Sequence, residues 1–137
     1  MSGYDVTQLG ALNTWQDFAG ERSTGKHFVD KELSTQYLGM SANGIQPGEQ
    51  AFGWHTHSQH EEVYVFLTGR GQMGLDDDVI DVQPGTVVRV GQDVWRIWRA
   101  LPDSPEPLRW LCIRSGGDTL AGIGHDGGRD SERPLPW

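Results

Sequence analysis

Turn signals recur roughly every ten residues from position 35 to position 115, and that rhythm restricts the chain to short strands. Pro47-Gly48, Gly69-Arg70-Gly71, the acidic tip Asp76 to Asp78 and Pro84-Gly85 separate runs that alternate in polarity or carry β-branched residues. The runs are Gln36 to Ile45, Gln50 to His57, Glu62 to Leu67, Gln72 to Leu75, Val79 to Val82, Thr86 to Val90, Val94 to Arg99 and Leu108 to Arg114. Nineteen glycines in 137 residues supply the tight corners that such a chain needs. The pattern predicts an all-β domain of antiparallel strands, a sandwich or a barrel, rather than a series of βαβ units.

The flanks carry weaker signals. Residues 1–34 read as an N-terminal extension, with a helical turn at Thr14 to Phe18 capped by Asn13 or Thr14 and an added edge strand at Lys26 to Leu33. Residues 116–137 hold six glycines and end in Pro-Leu-Pro-Trp, which predicts an irregular wrap or a loosely held extension with Trp137 docked on another surface. The barrel is expected to occupy residues 35–115.

Composition removes several functions. Eleven Lys and Arg against nineteen Asp and Glu give a net charge of −8, and with no basic cluster a phosphate backbone is repelled. A regulatory domain of a transcription factor is disfavoured for the same reason and because no helix-turn-helix segment accompanies the strands. No apolar run is long enough for a membrane span. Cys112 is the single cysteine, so an intrachain disulfide is excluded; its apolar setting, Trp110 to Ile113, predicts a buried inert thiol. The start, Met1 to Asp5, has neither basic nor apolar character, which leads us to expect a cytoplasmic location.

Three of the five histidines fall within Gly53-Trp54-His55-Thr56-His57-Ser58-Gln59-His60-Glu61-Glu62. In a strand, residues two apart point to the same face about 6.5 to 7 Å apart along the chain, so His55 and His57 can aim both imidazoles at one point. A turn of four residues then allows Glu62 to add a carboxylate at the same depth. Two neutral nitrogens and one hard oxygen suit a single divalent transition metal ion such as Fe, Mn, Ni, Zn or Co.

The wider pattern is more specific than the histidine pair. Gly48 precedes the pair, Glu62 follows it after four residues, and Gly69 comes six residues after Glu62. Here the sequence resembles the first motif of the cupin superfamily, over a region of roughly residues 35 to 115, although six residues rather than the usual five separate Gly48 from His55. The resemblance implies a double-stranded β-helix, a jelly-roll barrel of two antiparallel sheets, with a metal in its mouth held by His55, His57 and Glu62. It also implies a homodimer, as small cupins often form. The second motif departs from the family: Arg96 stands where the fourth ligand, a histidine, is usual, and Ala100 where an asparagine is common.

An arginine has no lone pair to offer a metal, so Arg96 admits two readings. In one, His55, His57 and Glu62 form a three-ligand face with open positions, and Arg96 anchors a substrate carboxylate. In the other, Arg96 pairs with Glu62, repels cations, and the pocket holds an organic ligand without metal. Tyr64 and Phe66 share the face of Glu62 by alternation and are expected to line the pocket or fill the core, as is Trp98 beside Arg96. His60 is expected to be a solvent-exposed turn histidine, His125 reaches the site only if the tail folds over the mouth, and His27 is given no role. The functional expectation is a metal-dependent enzyme of oxygenase, decarboxylase or isomerase type acting on a small carboxylate-bearing or aromatic metabolite. The alternative is a metal-free, non-catalytic binder of a sugar or small metabolite.

Overall fold

The computed structural model describes residues 3–20 and 24–137. Among these residues ten strands run as β1 (Lys26–Phe28), β2 (Leu38–Ile45), β3 (Gln50–His57), β4 (Glu61–Thr68), β5 (Gly71–Leu75), β6 (Asp78–Val82), β7 (Val87–Val90), β8 (Arg96–Ala100), β9 (Leu108–Ser115) and β10 (Gly127–Asp130). They build two five-stranded sheets, in the orders β1-β2-β9-β4-β7 and β10-β3-β8-β5-β6. The strand pairs are antiparallel, which is the double-stranded β-helix expected from the sequence.

Alternation along β4 explains how the sheets close. Glu62, Tyr64 and Phe66 are buried while Glu61, Val63 and Val65 are only half-buried, so every second residue enters the barrel. Between the sheets they meet Met73, Val90, Trp98, Leu108 and Trp110. Trp98 packs edge-on against both Trp110, at 5.5 Å between ring centroids, and Tyr64, at 5.4 Å. The acidic residues Asp76 and Asp77 form the turn of the β5–β6 hairpin.

A second, smaller core lies on the outer face of the first sheet. Trp15, from a 3-10 helix at Leu12–Asp17, packs with Val29 and Ala42 and is flanked by Phe18, Met40 and Leu111. Backbones approach closely here: a Cβ on Gly25, which has φ of +84°, would sit 2.1 Å from the Gly44 carbonyl oxygen. The 3-10 helix has no side-chain cap at its start, and the extended segment expected at Lys26 to Leu33 stops at Phe28, where Val29–Glu32 turns into a second 3-10 helix. Strand β8 begins at Arg96 rather than Val94, because Asp93 adopts φ of 64° and the Trp95 amide is held by Asp76 Oδ1.

The C-terminal segment differs most from expectation. Thr119 caps a short helix, α1 (Leu120–Ile123), and β10 then pairs with the free edge of β3, with Gly127 opposite His57 and Arg129 opposite His55. Beyond it Arg133 lies over the Trp54 ring, Trp54 Nε1 donates to the Pro134 carbonyl, and the Arg99 guanidinium stacks on Trp137. The segment is a structural strand, because β3 would otherwise present an unpaired row of backbone groups. Both sheets therefore recruit an edge strand, β1 or β10, from outside residues 35–115. Among the described residues no helix is long and apolar enough to cross a membrane.

Candidate metal centre and cavity

The turn Ser58 to His60 carries the chain from one sheet to the other, so β3 and β4 do not pair. They face each other across the barrel. His55 and His57 therefore approach Glu62 from the opposite sheet, with His55 Nε2 at 3.9 Å and His57 Nε2 at 3.8 Å from the same carboxylate oxygen, Oε1. The two imidazoles stand edge to face with centroids 5.2 Å apart. These three residues form one of two groups of side chains, among those described, whose donor atoms are close enough to hold a metal ion.

Glu62 has several other contacts. The Tyr64 hydroxyl donates to Oε1 at 2.5 Å, the Cys112 thiol donates to Oε2 at 3.1 Å, and Arg96 Nη2 lies 3.0 Å from Oε1. Arg96 is fully buried, and its Nη1 donates to the Val94 carbonyl at 2.9 Å. Its guanidinium therefore faces Glu62, the second of the two arrangements the sequence allows, and has no surface open to a ligand. Tyr64 lies on the cavity wall, as does Trp98, while Phe66 belongs to the closed core.

Burial and charge set the protonation states. Burial, with the Arg96 charge adding to it, pushes His55 down to about 3, and His57 is lowered chiefly by burial as well. Both rings are thus neutral near pH 7, with a lone pair available. Burial opposes the charge on Glu62, but His60, Arg96, Tyr64 and His57 outweigh it and hold the carboxyl well below its usual range. Burial raises Tyr64 and Cys112, so both remain neutral donors to that carboxylate.

His60 is not an exposed turn histidine. Only 4% of its surface is accessible; its ring stacks on that of His57 at 3.8 Å, and its Nε2 lies 3.8 Å from Glu62 Oε2. The cause is Asp126, just before β10. Asp126 Oδ2 accepts the backbone N–H groups of Gln59 and His60, while its Oδ1 lies 3.2 Å from His57 Nδ1 and 3.1 Å from His60 Nδ1. Asp126 was not among the residues the sequence pattern singles out; His125, beside it, is the exposed member of the pair. The available signal was that an Asp beside a His-rich turn can fix imidazole orientation, but nothing local linked two segments more than 60 residues apart.

The three side chains open onto a cavity of about 870 Å³ between the sheets. Its wall includes Lys26 from β1, Ser41 and Asn43 from β2, Cys112 and Arg114 from β9, and Gly127 and Gly128 from β10. Arg114 is paired with Asp30 at 3.4 Å, and burial lowers the pKa of Lys26. The cavity is large enough for a small metabolite, and Lys26, Arg114 and Arg129 are among the residues that line it.

The fold and this site define a class, a small β-barrel with a His-x-His and Glu cluster at its mouth. The sequence profile of the cupin domain family matches residues 44–114, and the chain belongs to that family. No curated protein matches it in sequence. A crystal structure of a cupin protein from Bacteroides fragilis is similar with a TM-score of 0.71 at 26% identity, covering 85% of this chain and 87% of that one. A protein with a double-stranded β-helix domain from Klebsiella pneumoniae superposes with a TM-score of 0.58 at 12% identity, covering 72% of this chain and 74% of that one. A structure of the DMSP lyases RdDddP and RnDddQII superposes with a TM-score of 0.55 at 23% identity; it covers 69% of this chain, which spans only 44% of that one.

Donor chemistry provides the test of whether a metal fits. Two neutral imidazoles whose Nε2 atoms converge on one ionised carboxylate oxygen match the preferences of a first-row divalent ion. The Asp126 carboxylate facing His57 Nδ1 is the kind of partner that orients a metal-bound histidine. The fourth family position does not fit, because Arg96 fills it with a cation.

Proposed function

We propose that this protein is a metal-dependent cupin enzyme in which His55, His57 and Glu62 hold one divalent transition metal ion. Its substrate is a small carboxylate-bearing or aromatic metabolite, and its reaction is an oxygenation, decarboxylation or isomerisation. The observation that carries the reading is the convergence of His55 Nε2 and His57 Nε2 on Glu62 Oε1 at the edge of an 870 Å³ cavity. A bound ion would supply a Lewis acid beside a substrate oxygen.

The chain's own residues argue for an anionic substrate. A divalent ion beside Glu62 and the buried Arg96 leaves net positive charge at low dielectric, which an incoming anion would offset. Lys26 and Arg114 stand on the cavity wall as well, Arg114 with its charge paired to Asp30. Arg96 then acts through Glu62, holding the carboxylate in place and ionised, while Trp98 and Tyr64 give the substrate an apolar surface.

The Arg96–Glu62 pair at 3.0 Å supports a second reading, a metal-free barrel that binds a small metabolite. Thermal melting of chelator-treated protein with and without added Mn²⁺, Fe²⁺, Ni²⁺ or Zn²⁺ separates the two. The enzyme reading expects one of these ions to raise the Tm of the wild type and not that of His57→Ala. If no ion shifts the wild-type Tm and Arg96→Ala disturbs ligand binding more than His57→Ala, the metal-free reading holds.

A further inference from the structure

Arg96 is one of the two side chains the sequence offers as a substrate contact, but its guanidinium faces Glu62 and is closed off from the cavity. Another cation stands on the cavity wall, and it comes from outside residues 35–115. In β1 the alternate residues Lys26 and Phe28 line the cavity, while His27 between them pairs with Glu32.

Register carries this wall across the first sheet. Lys26 lies opposite Asn43 and Phe28 opposite Ser41, and these in turn lie opposite Trp110 and Cys112 on β9. Ser41 and Asn43 are buried polar residues on the inward face of β2, where the next inward residue, Ile45, joins the apolar core. Asn43 Nδ2 donates to Ser41 Oγ at 3.1 Å, and both residues line the cavity. A few polar groups set into an otherwise apolar cavity wall are the means by which a pocket orients a ligand.

The ammonium stands beside that pair. Lys26 Nζ lies 5.0 Å from the centroid of the Phe28 ring, which Lys31 Nζ and Arg114 Cζ also approach, at 5.0 and 5.7 Å. Three cations thus gather on one wall of a chain whose net charge is −8. Arg114 is paired with Asp30, and Lys31 is exposed. Lys26 is half-buried; burial lowers its pKa, and Cys112 and Glu62, both inside the barrel, oppose that shift. Cys112 lies opposite Tyr64 and Arg114 opposite Glu62 on β4. The row that holds Phe28 and Ser41 therefore adjoins the row of Glu62, about 7 Å along the strands.

We propose that Lys26, with Ser41 and Asn43 beside it, is the anion subsite of the cavity and holds the carboxylate of a small organic acid. It takes the anchoring role that Arg96 cannot play. The spacing of the rows fits an acid of one ring or about four carbons, whose other end lies against His55, His57 and Glu62. The substrate class rests on the small-acid reading above, but the subsite itself needs no bound ion.

Calorimetric titration of the chelator-treated full chain tests it, with benzoate and succinate as probes and benzamide and succinamide as their uncharged counterparts. The wild type is expected to bind at least one acid about tenfold or more tightly than its amide, as a charge-assisted hydrogen bond would give. Lys26→Met is expected to abolish that preference and Lys26→Arg to restore part of it; Lys26→Gln serves if the Met variant does not fold, with thermal melting as the check. Ser41→Ala is expected to weaken acid binding by a smaller factor. No preference for either acid in the wild type, or a preference that survives in a folded Lys26→Met or Lys26→Gln variant, overturns the inference. Because the titration is made without metal, its failure is distinct from that of the metal reading, which is read from the Tm shift with added ions.

Discussion

Arg96 Nη2 lies 3.0 Å from Glu62 Oε1, the same oxygen that His55 and His57 approach from the opposite sheet. One carboxylate oxygen is thus shared between a fixed internal cation and the position a metal would take. The guanidinium holds Glu62 ionised in the metal-free protein and competes with any ion that binds there.

Replacing Arg96 by Met removes a buried charge and leaves Glu62 with the Tyr64 and Cys112 donors. Breaking a buried pair in this way costs about 3–5 kcal/mol. Urea denaturation in chelator is expected to register that loss, while the stabilisation conferred by added metal becomes larger than in the wild type. An equal metal effect in both proteins would mean that Arg96 does not oppose the ion.

Tyr64→Phe deletes the hydroxyl that donates to Glu62 Oε1 at 2.5 Å, without changing the ring contact with Trp98. A hydrogen bond to a charged acceptor contributes about 1.5–3 kcal/mol, and the metal-free variant is expected to lose that much in urea denaturation. Its metal affinity is expected to change less than that of Glu62→Gln, since the ligand set is intact.

Acid weakens the metal-free fold through its histidines. His55 titrates at about 3 when folded against 6.5 as an ordinary histidine, so below about 6.5 the unfolded chain takes up a proton that the folded chain refuses. The stability is present above that value and is lost as the pH falls toward 3, on the order of 1.4 kcal/mol per pH unit for this group. His57 is lowered in the same direction, and Glu62 adds a loss only below its ordinary 4.5. Urea midpoints in chelator should fall between roughly pH 7.5 and pH 5, and the slope should flatten in His55→Gln. Midpoints that stay level over that range would show that the imidazoles are not held neutral by the fold.

Gly25→Ala tests how β1 is seated. The position has φ of +84° and a Cβ would meet the Gly44 carbonyl at 2.1 Å, so backbone must move. The variant is expected to lose more than about 1 kcal/mol and to become more susceptible to proteolysis in the N-terminal segment that holds Lys26 against the cavity. Wild-type stability would mean that this close approach is not needed.

Much of this architecture can be read locally. Strand β3 is bounded by Pro47-Gly48 and by the turn at Ser58, and its ends lie where those signals put them. The His-x-His and Glu spacing is equally local, since the period of a strand and one turn determine it. Features set by distant contacts are harder to see. His60 turns inward because Asp126 captures its backbone amide, and β10 forms because β3 has a free edge; neither leaves a periodic trace in a segment where Gly127 and Gly128 carry no side chain. The direction of Arg96 was open for a related reason, as only the register of β8 against β3, with Arg96 opposite His55, brings its guanidinium to Glu62.

Elemental analysis of the full chain, purified without chelator or an affinity metal and run beside Arg96→His, tests the central claim most directly. Close to one equivalent of iron, manganese, nickel, cobalt or zinc is expected in the wild type, and its loss in His57→Ala. A wild type free of metal beside an Arg96→His variant that carries a full equivalent would contradict it, and would assign Arg96 the role of closing the site to cations.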